Sequence, residues 1–363
     1  MKRLLYMLAV VGMVACTADE KGYPPAVEED MPLQINKLNM SVDTRAVFEQ
    51  VGNDAPNKLD AIGVLVTKGS GSSIAYYNSE VKTQEYRYAS GLWSPDQQLN
   101  MANVDGTVYA WAPSGYGADF SRTNPKYPII KSISIPATQT FNYGNEWDTT
   151  QDDLLYGSDS EATGSETHHT VNKWEHQIEH LYMQHALAKI SFRIIKAKGQ
   201  AITELDYVKK IELTSQNGNQ LLAKANTQVT MNLEDGSLLG LDQVGTITLL
   251  GDVQGQIAEW PVGADTPDYM ALPCAQAYGL VVPLETPVAE LSLKLTLGPE
   301  GNLSPSEDRT YQTPQGVTVL QNIKWEKGKH YLYTMNVTDQ GLEFDDIQVV
   351  GWDDTTPIHV PVE

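Results

Sequence analysis

The chain has 363 residues, enough to bury two hydrophobic cores, and its 46 acidic residues against 25 basic ones give a net charge of −21. Such a charge repels phosphate backbones and anionic headgroups, so we expect no nucleic-acid partner. Its two cysteines are Cys16 and Cys274. If Cys16 is acylated, no intramolecular disulfide can form, and the fold must be stabilised by packing alone.

The first 15 residues have the pattern of an export signal. Two basic residues precede an apolar stretch over residues 4–11, which is too short to span a bilayer, and small or apolar residues lead to Cys16. The residues before Cys16 resemble a bacterial lipobox, with Met13 in place of the usual leucine. A plain secretory signal would need another cleavage site, and residues 17–21 offer no better one. We therefore predict a removable signal over residues 1–15, palmitate on Cys16, and membrane attachment through that lipid only.

A tether and one strand are predicted after Cys16. Residues 17–32 are polar and contain prolines, which is typical of a tether. The next ten residues alternate between apolar and polar side chains, with one phase slip at Asn36 and Lys37, and this predicts a bulged strand. The apolar positions of this strand are Leu33, Ile35, Leu38, Met40 and Val42.

The remainder consists of short alternating runs separated by Gly, Pro, Asn and Ser, which predicts an all-β fold of antiparallel sandwiches with few helices. The predicted strands lie within residues 61–67, 85–89, 107–112, 131–135, 186–194, 291–297, 331–337 and 345–352. Regular alternation in the later runs predicts sheets with one buried face. Residues 148–177, rich in polar side chains, are interpreted as a loop region. We predict two domains, an N-terminal one over residues 46–178 and a C-terminal one over residues 179–363.

The last residues predict one more strand. Ile358, Val360 and Val362 alternate with His359 and Pro361. Because proline cannot donate to a ladder, this strand belongs at a sheet edge or against a single partner. It is therefore available to pair elsewhere.

Motifs for chemistry are few. Five of the seven histidines lie at positions 168, 169, 176, 180 and 185, but their spacing matches no zinc motif. A solvated loop is the favoured interpretation, with adventitious metal binding and catalysis as alternatives. Pairs of adjacent acidic residues are interpreted as solvated turns, and no nucleophile or phosphate-binding motif occurs. We predict no enzyme, no catalytic residue, no metal and no cofactor.

Aromatic residues are concentrated in one part of the first domain. Tyr76, Tyr77, Tyr86, Tyr88 and Trp93 lie within 18 positions. Rows of aromatic side chains can stack sugars, although core packing and cross-strand pairing are the favoured interpretation. The alternative to the main hypothesis below is thus a monomeric surface lipoprotein that binds glycans through Tyr86, Tyr88 and Trp93.

Four short motifs, taken together, resemble the fimbrillin-like family, the Mfa-like major fimbrial subunits or type V pilins. They span the chain after the signal, and their order and spacing make the resemblance more specific than any one of them. The motifs are TRA at 44–46 ahead of DAIGV at 60–64, Trp93 followed by VYAWAP at 108–113, HALAKI at 185–190, and GKHY at 328–331 ahead of Trp352.

The resemblance implies two transthyretin-like β-sandwich domains and a route of assembly. Members are exported as outer-membrane lipoproteins, cut after a basic residue by a trypsin-like surface protease, and polymerised into extracellular fimbriae by donor-strand exchange. Arg45 matches the cleavage position. Implied partners are other pilus subunits, in a homopolymer or heteropolymer, the protease, and a host or bacterial surface ligand. Stalk, tip and anchor positions all stay open.

The physics of strand exchange can be argued from the residues. Removing a paired strand exposes unpaired backbone groups and an apolar groove, which a strand from another chain can fill. The residues predicted to leave are Leu33, Ile35, Leu38, Met40 and Val42, and those predicted to donate are Ile358, Val360 and Val362. We therefore predict a pilus subunit that serves adhesion.

Overall fold

The computed structural model describes most of the chain after residue 28. The described residues are 29–40, 50–51, 58–142, 145–149, 151–162, 164–215, 229–241, 245–265, 275–284, 291–301, 305–313, 324–351 and 358–360. The signal, Cys16, Val42, Arg45, Cys274 and Val362 lie outside them.

The all-β class is confirmed. Within the described residues the only helices are the 3-10 turns Gly71–Ser73 and Pro305–Glu307. The strands before residue 180 are β1 Met31–Pro32, β2 Gln34–Ile35, β3 Leu38–Met40, β4 Gln50–Val51, β5 Lys58–Leu59, β6 Ala61–Lys68, β7 Ala75–Tyr76, β8 Gln84–Ala89, β9 Leu92–Pro95, β10 Asn100–Met101, β11 Gly106–Ala112, β12 Ala118–Phe120, β13 Pro128–Ile133, β14 Thr138–Asn142, β15 Asn145–Thr149, β16 Leu155–Ser158, β17 Thr170–Val171 and β18 Gln177–Ile178.

Twelve further strands follow in the described residues. They are β19 Leu181–His185, β20 Ala188–Lys196, β21 Tyr207–Ser215, β22 Val229–Asn232, β23 Leu238–Leu239, β24 Thr246–Val253, β25 Ala275–Val281, β26 Leu291–Gly298, β27 Arg309–Gln312, β28 Lys329–Thr338, β29 Gly341–Gly351 and β30 Ile358–Val360.

These strands form four larger sheets and three small pairs. The first sheet has nine strands along the path β3-β19-β16-β11-β6-β8-β9, with β17 on β11 and β7 on β6. The others are ordered β12-β13-β22-β23, β15-β14-β24-β21-β26-β27 and β25-β20-β28-β29-β30. Most pairs are antiparallel, whereas β2/β18, β3/β19, β4/β5, β14/β24 and β20/β28 are parallel.

Two clusters of buried side chains pack on opposite faces of the first sheet. Alternation along β6 sends Ile62, Val64 and Val66 into the smaller cluster and Leu65 into the larger one. The smaller cluster is built only from residues 33–183, and the larger one extends to Ile347. The N-terminal segment, defined as residues 29–40, belongs to the smaller cluster.

Two expectations about exposure were wrong. Residues 148–177 are not all loop, because β16 lies there in the centre of the first sheet with both Leu155 and Tyr156 fully buried. The apolar run over residues 154–157 is short, and the polar residues on both sides of it obscure its strand pattern. Strand β20 is buried along its whole length, so Lys189 and Arg193 lie inside the protein rather than on a solvent face.

Strand pairing crosses the predicted domain boundary near residue 178. Strand β19 lies in the first sheet between β16 and β3, while β13 and β14 pair with β22 and β24 of the second half. The separate buried clusters are consistent with two domains. The boundary itself stays a prediction.

Gly63 marks the tightest contact in the centre of the first sheet. A Cβ atom built on Gly63 would lie 2.1 Å from the Trp111 ring, which is buried and donates its indole N–H to Tyr116 O at 3.0 Å. We expect Gly63→Ala to lower the free energy of unfolding by about 1–3 kcal/mol through overpacking. Urea titration measures this, and Gly115→Ala, where the added Cβ meets nothing within 4 Å, is the control. Equal midpoints for the two variants would contradict the prediction.

Candidate functional site

The N-terminal segment is inserted between two strand edges. On one side β1 pairs antiparallel with β10, through Met31 with Met101 and Pro32 with Asn100. The Leu33 N–H continues this edge by donating to Leu99 O at 2.9 Å.

The other side of the segment is bound by the strands around residue 180. The Gln34 N–H donates to His176 O at 2.9 Å, and the Asn36 N–H donates to Ile178 O at 2.8 Å. Leu181 N–H then donates to Lys37 O at 2.9 Å, and β3 runs parallel to β19. Since adjacent N–H groups of a strand point in opposite directions, residues 33 and 34 connect the two edges.

Side chains of the segment fill the cluster beneath at irregular spacing. Leu33, Ile35 and Leu38 are only 1%, 3% and 4% exposed. Asn36 and Lys37 are both exposed, so the phase slip in the sequence is a real break between β2 and β3. The buried positions therefore follow the spacing i, i+2, i+5. Met40 is half-buried and packs on the same cluster.

We call the surface that receives these side chains the N-terminal groove. Its residues come from strands on both sides of the segment and from the first sheet, and all are buried in the smaller cluster or bonded to the segment. They are Leu59, Ile62, Tyr86, Trp93, Leu99, Met101, His176, Ile178, Leu181 and Met183.

Polar side chains bind the segment at four points, one of which is His180 Nδ1 at 3.3 Å from Asn39 Oδ1. The Tyr86 hydroxyl, fully buried, donates to Leu33 O at 3.1 Å, and burial raises the pKa of Tyr86 well above its ordinary value. His176 Nδ1 donates to Pro32 O at 2.8 Å, which requires a proton on Nδ1 because a carbonyl only accepts. Asn36 Nδ2 donates to Glu179 Oε1 at 2.9 Å.

The bond from Tyr86 gives a testable contribution. We expect Tyr86→Phe to lower the free energy of unfolding by about 1–2 kcal/mol, because the ring still packs while the Leu33 carbonyl loses a buried donor. Tyr88→Phe, two positions along the same strand on a half-buried ring, is the matched control. A chemical denaturation series measures both. A loss no larger for Tyr86→Phe than for Tyr88→Phe would contradict the role of the hydroxyl.

Two of the three aromatic residues of the glycan hypothesis, Tyr86 and Trp93, belong to the N-terminal groove, and Tyr88 packs against the same cluster. Tyr86 and Trp93 are buried, and the Tyr88 ring packs 5.4 Å from the Trp93 ring, centroid to centroid. Their placement explains them as packing groups beneath the segment. Trp174, by contrast, is 64% exposed on the loop between β17 and β18.

The histidines do not form a solvated loop, contrary to expectation. His185 pairs with Asp153 at 2.9 Å inside the protein, and His168 Nε2 lies 3.0 Å from Glu234 O, where burial lowers the pKa of the imidazole. His176 binds the segment, and His180 Nδ1 lies 3.3 Å from Asn39 Oδ1. Among the described residues, no group of three or more His, Cys, Asp or Glu is placed to hold a metal ion.

The C-terminal run lies at another edge. Strand β30 pairs antiparallel with β29, through Ile358 with Val349 and Val360 with Ile347. It is the last strand of its sheet in the described part of the chain. The run expected to be available is therefore paired within its own chain, although its outer edge carries no partner strand among the described residues.

Sequence reasoning found the segment but missed most of the groove. The sequence shows Tyr86 as one of five grouped aromatic residues and His176 as one of five grouped histidines, and neither pattern indicates a bond to the segment. The alternation of Leu99 with Met101, and of Leu181 with Met183, is a usable signal for two short edge strands.

Among the residues that the structure describes, no helix is long and apolar enough to cross a membrane.

The described residues thus form an all-β fold in which β1, β2 and β3 make one inserted N-terminal segment. The profile of the fimbrillin-like family matches residues 44–352, and the chain belongs to that family. No curated protein sequence matches it significantly.

Solved structures share the fold at low sequence identity. A candidate cell adhesion protein from Bacteroides uniformis is 17% identical with a TM-score of 0.52, over 89% of this chain and 99% of its own. A fimbrial protein from Bacteroides vulgatus is 13% identical with a TM-score of 0.53, over 88% of this chain and 99% of its own. At such identities the likeness concerns the fold alone.

Proposed function

We propose that the chain is a structural pilus subunit that serves adhesion and has no enzymatic activity. It is exported with the signal over residues 1–15, anchored in the outer membrane through a lipid on Cys16, cut after Arg45, and incorporated into extracellular fimbriae by donor-strand exchange. The observation that carries this proposal is the N-terminal segment, a strand inserted between β10 and β18–β19 and followed within a few residues by Arg45.

A cut after Arg45 leaves the segment bound only by non-covalent contacts. Three buried aliphatic side chains at about 1.5–3 kcal/mol each, with backbone bonds at about 1 kcal/mol each, gross on the order of 10 kcal/mol. The cost of ordering a free strand offsets part of this sum. The segment thus stays bound after cleavage until a competing strand takes its place, which favours exchange over a permanently open groove.

The donor in this proposal is the run that contains Ile358, Val360 and Val362. Because Ile358–Val360 is the edge strand β30 on β29, donation requires it to leave β29. An edge strand has ladder bonds on one side only, so it is released at less cost than any internal strand of that sheet.

The cut is tested at Arg45. Mass spectrometry of material sheared from cells is expected to find fibres whose chains begin at Ala46, and Arg45→Ala is expected to leave the chain lipidated at Cys16 and absent from fibres. Arg122→Ala, at an arginine that the structure shows exposed, is the control and should assemble normally. Lipidated Cys16 on all sheared material would contradict cleavage and favour the monomeric lipoprotein.

The donor is tested by truncation. A chain ending at Asp354 is expected to be cut and to accept a strand, but to donate none, so it should terminate fibres. Ladders of unchanged length on denaturing gels would show that the donor lies elsewhere.

The glycan-binding alternative has its own test. Loss of glycan-array binding in Trp93→Ala, with no polymer after proteolysis, would favour it. The burial of Tyr86 and Trp93 beneath the segment favours the pilus subunit instead.

A further inference from the structure

The N-terminal groove imposes a pattern on any strand that fills it. Buried side chains are required at i, i+2 and i+5, the positions of Leu33, Ile35 and Leu38, and the two residues between the last pair face solvent. Backbone N–H groups at i, i+1 and i+3 donate to Leu99 O, His176 O and Ile178 O. We infer that the groove accepts a strand of this pattern from a different subunit, and not the 358–362 run of a second copy of this chain. The inference rests on the proposed function.

The first argument is phase. The apolar residues of the C-terminal run are spaced i, i+2, i+4. With two of them in the positions of Leu33 and Ile35, a third falls where Lys37 is exposed. A regular strand therefore cannot fill the Leu38 position, because side chains of an unbroken strand alternate between its two faces.

The second argument is Pro361, which has no N–H. With Ile358 in the position of Leu33, Pro361 takes the place of Asn36, whose N–H donates to Ile178 O at 2.8 Å. The same register puts Glu363 in the place of Leu38, which is 4% exposed. A carboxylate there would be buried without a partner.

Moving the run by two residues does not relieve the conflict. With Val360 in the position of Leu33, Pro361 takes the place of Gln34, whose N–H donates to His176 O at 2.9 Å. In either register a main-chain carbonyl of the groove loses its hydrogen-bond donor, and leaving a buried acceptor unpaired costs free energy of binding.

Two registers that use the positions of Leu38 and Met40 are also unfavourable. With Ile358 in the place of Leu38, Asp353 falls in the place of Leu33, which is 1% exposed. With Val360 there, the deep positions of Leu33 and Ile35 receive Thr355 and Pro357. None of these four registers, all in the direction of the native segment, satisfies both the apolar positions and the backbone donors.

The groove also indicates what its partner strand carries. The side chain at i+3 faces Glu179, to which Asn36 Nδ2 donates at 2.9 Å. An amide or a basic side chain fits at i+3, and an acid is disfavoured by like-charge repulsion. The partner is therefore a subunit whose donor strand has aliphatic residues at i, i+2 and i+5, no proline at i+1 or i+3, and an amide or a base at i+3.

Peptide binding to the emptied groove tests the inference. The chain expressed from Thr17, with the site of a sequence-specific protease in place of residues 41–45, is cut and freed of the segment in mild denaturant. Peptides MPLQINKLNM (residues 31–40) and TTPIHVPVE (residues 355–363) are then titrated, with fluorescence polarisation as the readout. The first is expected to bind, and the second to bind about tenfold weaker or worse.

Two variant peptides locate the cause. Gln34→Pro in the 31–40 peptide removes one donor and is expected to weaken binding by about tenfold or more, while Lys37→Asp, at an exposed position, should bind as the native peptide does. Binding of the 355–363 peptide as tight as that of 31–40, or ladders formed by the cleaved chain alone that require residues 355–363, overturns the inference and leaves the proposed function standing. If neither peptide binds, strand exchange fails and the inference fails with it.

Discussion

Leu38→Asp is expected to lower the free energy of unfolding by about 3–5 kcal/mol. Leu38 is 4% exposed, and its side chain packs in the smaller cluster, where a carboxylate would be buried among apolar side chains. The cost has an upper limit, because β3 is the edge strand of the first sheet and can leave the groove rather than bury the charge. The variant should therefore also lose protection of the segment.

Two measurements separate these effects. Urea titration gives the loss in stability. Hydrogen exchange at the amides of residues 34 and 36 reports whether the segment has left the groove, because these N–H groups donate to the main-chain carbonyls of His176 and Ile178. Fast exchange with a stable remainder would mean that the segment dissociates on its own. That result would also support the idea that the groove can exist empty for long enough to be refilled.

Lys37→Asp is the matched control for Leu38→Asp. It introduces the same side chain one position away, on the exposed face of the same segment, and surface changes of this kind are worth about 0.5 kcal/mol or less. If both variants were equally stable, or equally unstable, the burial pattern of the segment would be wrong and the groove would not require apolar side chains at i, i+2 and i+5.

How far the sequence predicts this fold depends on the range of the signal. The alternation of Leu33 and Ile35, and the slip at Asn36 and Lys37, are local, and the structure follows them. The partner strands of the segment are not local. His176 and Ile178 lie more than 140 positions away in a polar stretch, and nothing in the residue pattern assigns them as the edge that pairs with it.

Burial of polar side chains was equally hard to foresee. His185 and Asp153 pair inside the protein 32 positions apart, and Lys189 and Arg193 lie on the second buried face of β20. Alternation indicates that a strand has one apolar face, but it does not say whether another layer covers the polar one. The sequence therefore predicted the strands of this region well and their environment poorly.

The second large effect is expected at Asp206, a carboxylate that is fully buried beside the start of β21. Its Oδ1 lies 2.7 Å from Arg309 Nη2 and 3.3 Å from Lys196 Nζ, and its Oδ2 accepts the Thr203 N–H at 2.7 Å. These bonds connect the loop before β21 with β20 and β27. Asp206 therefore joins three elements of two different sheets.

Asp206→Ala is expected to lower the free energy of unfolding by about 3–5 kcal/mol, because the buried ammonium group of Lys196 loses its carboxylate. Asp265→Ala is the control, since its ion pair with Lys198 at 3.1 Å is solvent-exposed on both sides, and its stability should equal that of the native chain. Thermal and urea unfolding compare the two.

Because Asp206 lies outside the N-terminal groove, binding of the 31–40 peptide should survive in Asp206→Ala under conditions where the variant is folded. Loss of peptide binding from the folded variant would mean that the groove and this ion-paired junction are not independent, whereas a change in stability no larger than that of Asp265→Ala would mean that Lys196 is satisfied without Asp206.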